Sequence, residues 1–132
     1  MASQNVSPTA LAVSMLKSGV AISKGRVVVQ SSTTDSTCKQ AVSAGDVKPI
    51  GIAADEAAAA DAAAAVYPVG QGTVLGVSGA AVTIDALVSF DADGKIIDAT
   101  TGKFVIGTAR TGVGAANLWV QVELGNLGVV KA

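Results

Sequence analysis

The sequence has no histidine, one cysteine and three prolines, and of its 132 residues only 3% are aromatic and 14% charged. Each scarcity removes a class of function. Without histidine there is no imidazole general base, no Ser-His-Asp arrangement and no histidine-bearing zinc site. Cys38 stands alone and cannot form an internal disulfide, which fits folding in a reducing cytoplasm. Nine basic and ten acidic residues leave a net charge of −1 and are scattered evenly, so no basic stripe exists to follow a phosphate backbone. Nucleic acid is therefore not expected as a partner. No apolar run reaches the length needed to cross a bilayer, and no membrane association is expected. Residues 10–16 are apolar, but Ser14 interrupts them and no basic residue precedes them, which makes a poor signal peptide.

The residues that remain offer no reaction centre. Asp91-Ala92-Asp93-Gly94 begins like a calcium loop, but its glycine comes fourth and its twelfth position is Gly102, where a glutamate is required. An acidic hairpin tip is the better reading. Gly70-Gln71-Gly72 and Gly112-Val113-Gly114 lack the later glycine or Lys-Ser/Thr of a phosphate-cradling loop. Lys95 follows Asp-Gly and precedes Ile96, unlike the neighbours of a lysine that carries biotin or lipoate. No catalytic residue, cofactor or metal ligand is expected.

What is present is small and apolar. Half of the chain is hydrophobic, carried by Ala, Val, Ile and Leu. A chain of this length buries a limited fraction of its surface, so an exposed apolar patch and self-association are expected. The alternative is that alanine, tolerated anywhere, inflates the count.

One unit occurs twice: Ile50-Gly51-Ile52-Ala53 and Ile106-Gly107-Thr108-Ala109. Its repetition points to a duplicated or pseudo-symmetric β framework. Around it, β-branched stretches predict strands at 26–30, 47–53, 66–69, 73–77, 81–84, 87–90, 95–98, 103–108 and 117–124, with Pro49 at an edge or strand start. Asp93-Gly94 predicts a two-residue hairpin turn. Residues 31–37 read as a polar loop. In the last strand Leu118, Val120, Val122 and Leu124 share one face, with Trp119, Gln121 and Glu123 on the other. The alanine-dense stretch 54–65 predicts a short helical turn leading into a strand near Ala65, or else a low-complexity loop. Residues 1–19 read as an extended N-terminal arm, 20–124 as one mainly β domain of barrel or sandwich type, and 125–132 as a short tail.

The order Ala21-Ile22-Ser23-Lys24-Gly25-Arg26-Val27-Val28, the two Ile-Gly-x-Ala units, Val66-Tyr67-Pro68-Val69-Gly70-Gln71-Gly72, the segment 86–95 and Leu118-Trp119-Val120-Gln121-Val122 resemble the capsid decoration, or cement, proteins of tailed bacteriophages. The resemblance covers residues 20–124 and rests on order and spacing. It implies a β-barrel or β-tulip-like fold, a homotrimer on the outer capsid, and clamping of neighbouring major capsid proteins after the shell expands. The arm would reach a neighbouring subunit, which makes Val6, Leu11, Val13 and Leu16 its candidate capsid or trimer contacts. Trp119 is the remaining candidate, as a binding hot spot, as a lid over one end of the barrel or as a residue packed under the arm. A tail or fibre component is the structural alternative. A small β-barrel ligand-binding module or enzyme would instead need convergent carboxylates around Asp85, Asp91 or Asp98.

Overall fold

The computed structural model describes residues 14–18, 20–30, 37–56, 63–68, 72–125 and 130–132. It is all β, with ten strands: β1 Ser14–Ser18, β2 Val27–Gln30, β3 Thr37–Gln40, β4 Pro49–Ala53, β5 Ala63–Pro68, β6 Thr73–Val77, β7 Leu87–Phe90, β8 Ile96–Asp98, β9 Gly107–Ala109 and β10 Trp119–Glu123. The first five close a barrel in the order β1-β3-β2-β4-β5, and the last five form a sheet in the order β6-β10-β9-β7-β8. An isolated parallel bridge, Ser78 to Ile96, brings the end of β6 to the start of β8. Closed, among the described residues, only by that single bridge, the second sheet repeats the first as a second, looser barrel, with β6, β7, β8, β9 and β10 in the places of β1, β2, β3, β4 and β5.

The duplication extends to single hydrogen bonds. Gly25 N donates to Ala53 O and Ala53 N to Arg26 O, at 3.0 and 2.9 Å. Asp85 N donates to Ala109 O and Ala109 N to Ala86 O, both at 2.9 Å. Ser23 N donates to the Gln40 side chain as Thr83 N does to that of Asp98. The two Ile-Gly-x-Ala units are the visible trace of this repeat. At Gly51 a Cβ would overlap the Tyr67 carbonyl, and at Gly107 the Glu123 carbonyl, so only glycine permits each strand approach.

Two interiors follow from the repeat. Ile22, Val28, Cys38, Ala53, Ala64 and Val66 pack inside the first barrel. Their counterparts Val82, Val88, Ile96, Ala109, Val120 and Val122 belong to a larger core. That core continues across the joint between the barrels through Val27, Val29, Ala41 and Ile52 of the first. β2 is buried on both faces because one lines its barrel and the other meets the second barrel, so Val27-Val28-Val29 is an unbroken apolar run. β10 faces solvent on its outer side and alternates, with Val120 and Val122 buried and Trp119 exposed.

Several expectations change. The supposed arm ends in a barrel strand: β1 pairs with β5 over Ser14 to Lys17 and in parallel with β3 at Lys17 and Ser18. Residues 1–13 lie outside the described residues. The polar loop ends sooner than expected, because Thr37 and Cys38 begin β3, held between β1 and β2 by backbone hydrogen bonds that polar side chains do not oppose. Of the stretch 54–65, expected to hold a short helical turn, residues 57–62 lie outside the described residues, and Ala63 already begins β5. No helix occurs among the described residues.

The Asp93-Gly94 turn is wider than two residues. Gly94 N donates to Asp91 O at 3.0 Å, Asp91 N donates to Lys95 O at 2.9 Å, and Gly94 has φ +76°. Ala92 and Asp93 lack the positive φ that a two-residue type I′ turn requires. The segment 81–84 supplies only a bridge between Val82 and Val113, and 103–108 is a strand only from Gly107. Within the expected tail, Val130 bridges Phe104 and Lys131 N donates to Lys103 O, so these residues are tied to the body.

Candidate assembly surface

The chemistry available begins with what the side chains already do. Asp91 Oδ1 accepts from the backbone N of Asp93 and of Lys95, both at 2.9 Å, and so shapes its hairpin. Asp98 accepts from the backbone and hydroxyl of Thr83. Asp85 accepts from Arg110 Nη1 at 3.1 Å, and Arg110 Nε reaches Glu123 at 2.7 Å. The three carboxylates named as a possible site are thus each engaged in a separate local structure. Among the described residues no group of three or more Cys, Asp or Glu side chains is placed to hold a metal ion. Lys95 Nζ donates to Asn117 Oδ1 at 2.7 Å, so the ammonium is anchored rather than displayed.

The hairpin tip is tied to the first barrel through its backbone, while Ala92 and Asp93 stay exposed. The Asp93 carbonyl accepts from Arg26 Nη1 at 3.0 Å and from Gln40 Nε2 at 3.1 Å, and Gly94 O accepts from Val27 N at 2.7 Å. It is a clasp between the two barrels, made by the backbone carbonyls of Asp93 and Gly94.

Cys38 lies inside the first barrel at 0% exposure. Burial pushes its thiol above the ordinary value, outweighing a backbone hydrogen bond that acts the other way, so the reactive thiolate is disfavoured. It should resist a maleimide in native buffer and react within minutes in denaturant. Labelling of the native protein at the unfolded rate would contradict this placement.

What the surface does offer is apolar. Trp119, Leu118, Leu75, Leu87, Ile84, Val20, Val42, Val47 and Val130 are all exposed. The register fixes part of this surface: Trp119 lies opposite Val77, Gln121 opposite Leu75, and Glu123 opposite both Thr73 and Thr108. Leu87 lies opposite Thr108 on the next strand. The outer face of the second barrel is therefore a sheet of isolated apolar side chains crossed by the Arg110 ion pairs. Such exposed pairs add little stability and leave the charges available to a partner.

Trp119, read from the sequence as hot spot, lid or residue packed under the arm, has features of the first two positions. A Cβ built on Gly25 would lie 2.8 Å from Trp119 Cζ3 and 2.9 Å from Val77 Cγ2, so the indole closes over the Gly25 turn of the other barrel. Half of it, 52%, stays exposed. Of the arm residues, Leu16 sits in β1 opposite Ala64, while Val6, Leu11 and Val13 lie outside the described residues. The exposed Leu75 and Leu87 were missed as site residues, because a strand's outer face becomes visible only once its inner face is known.

A solved structure has this fold. The N base of head fiber gp8.5 of bacteriophage phi29 superimposes with a TM-score of 0.67, covering 92% of this chain and 98% of that one at 13% identity. No protein-family model matches the sequence. No curated protein sequence matches it either. The likeness is one of fold and runs over nearly the full length of both chains.

Proposed function

We propose that this chain is a structural protein of a phage virion, a homotrimer that binds the outer surface of the expanded head and staples neighbouring major capsid proteins. The observation that carries the reading is the near full-length likeness in fold to the base of a phage head fiber. The residue chemistry is in keeping with it. Reinforcing a shell needs binding free energy and no reaction centre, and Asp91, Asp98, Lys95 and Cys38 are engaged within the fold. Exposed Leu75, Leu87, Leu118 and Trp119 supply apolar area at about 25 cal/mol per Å² buried, and repetition over a symmetric shell multiplies weak contacts.

The second reading is the base of a head fibre, and the same likeness favours it, since the matched chain is itself a fibre base. Both readings share a surface-bound virion protein and differ in what stands on it. Purified protein mixed with expanded empty heads of its own phage should sediment with them and saturate at a fixed ratio. Electron microscopy of those heads then separates a flat clamp spanning capsomers from a platform beneath a fibre. Absence of binding to both expanded and unexpanded heads would overturn the virion-surface reading.

A further inference from the structure

The two barrels match in strand order but not in what covers them. Val27 and Ile52, register partners on the outer face of the first barrel, are both 0% exposed beneath the second. Their counterparts Leu87 and Thr108 are register partners too, yet Leu87 is 40% exposed. Val27 N donates to Gly94 of the clasp, and Gly25 O accepts from Val77 N at 3.1 Å. The equivalent turn in the second barrel is headed by Asp85, with φ 65° against 82° at Gly25. Its side chain is 77% exposed. Among the described residues the second barrel thus repeats a receiving face and leaves it open.

We infer that this open face receives the first barrel of another copy of the chain, in the relation that each chain's second barrel bears to its own first. The inference rests on the homotrimer reading and names its contact surface. Complementarity identifies the occupant. Within the chain, Val77 and Trp119, opposite one another in register, close over Gly25. On the first barrel those two register positions belong to Lys17 and Ala63. The residue they would meet on a neighbouring copy is Asp85 in place of Gly25.

A bulky pair therefore faces a residue with no side chain inside the chain. Between chains the register positions of a cationic residue and a small one meet Asp85, which with Glu123 and the Arg110 that bridges them forms a net negative group. Size and charge change on both sides together, which a merely solvated end of a repeat does not require. Such a head-to-tail contact is heterologous, and a homotrimer closes it into a ring with two barrels from each chain.

The test uses the full chain, light scattering across a concentration series, and circular dichroism to verify the fold. Lys17→Glu and Asp85→Lys should each raise the concentration for half-assembly about tenfold, and the double variant should return it to within about threefold of the parent. Asp85→Asn, which tolerates the positive φ, should weaken assembly similarly and serves if Asp85→Lys does not fold. An assembled parent whose single variants assemble equally well overturns this surface and leaves the homotrimer standing. A parent that stays monomeric at all concentrations overturns both, while head binding remains a separate measurement.

Discussion

Alanine in place of Gly51 or of Gly107 should cost about 3 kcal/mol or more, read as a lowered urea midpoint with an unchanged slope. Each glycine lies under a carbonyl of the neighbouring strand, Tyr67 for Gly51 and Glu123 for Gly107, and a methyl group would overlap it. Backbone cannot swing aside as a side chain does. At Gly51 the carbonyl belongs to β5, which is paired on its other side with β1, so relief must open the closed barrel. At Gly107 it belongs to β10, fixed to β6 over five register pairs. Gly114, where an added methyl group meets nothing within 4 Å, is the control, and its alanine variant should shift stability by less than about 0.5 kcal/mol. Equal tolerance at the three positions would mean that the repeated glycines do not hold strands together.

These two glycines also mark how far the sequence could be read. The repeated unit announced a duplication because backbone overlap is a constraint that both copies must satisfy with the same residue. Interior pairs such as Val28 and Val88 or Val66 and Val122 are also alike, while positions where each copy meets a different neighbour diverged. Gly25 lies under Trp119, whereas Asp85 pairs with Arg110. Cys38 fills the place of Ile96, and Val27-Val28-Val29 the place of Leu87-Val88-Ser89. Strands with a solvated face, such as β10, were legible from alternation. β3 was not, because Thr-Cys-Lys-Gln has no β-strand pattern and owes its state to β1 and β2 on either side. The candidate surface was half legible. Trp119 drew notice by its rarity, but Leu75 and Leu87 look like core leucines until the barrel interior is seen to be filled by others.

Truncation at two points separates the arm from the fold. Removing residues 1–18 deletes β1, which supplies four register pairs to β5 and two to β3. The first barrel would then open along both edges, leaving backbone groups of β3 and β5 unpaired and exposing Val28, Cys38 and Val66 to water. A loss of that extent is comparable with the whole stability of a small domain, about 5–15 kcal/mol. The expected result is an insoluble product, or one without a cooperative melting transition. Removing residues 1–13 keeps every described strand pair and should melt within a few degrees of the full chain. Only this shorter deletion can therefore test whether Val6, Leu11 and Val13 bind the shell: a folded protein that no longer sediments with expanded heads assigns them that role, and undiminished binding removes it. A cooperative, unshifted transition after the longer deletion would show that β1 is dispensable to the barrel, and with it would fall the claim that Lys17 holds the place of Val77.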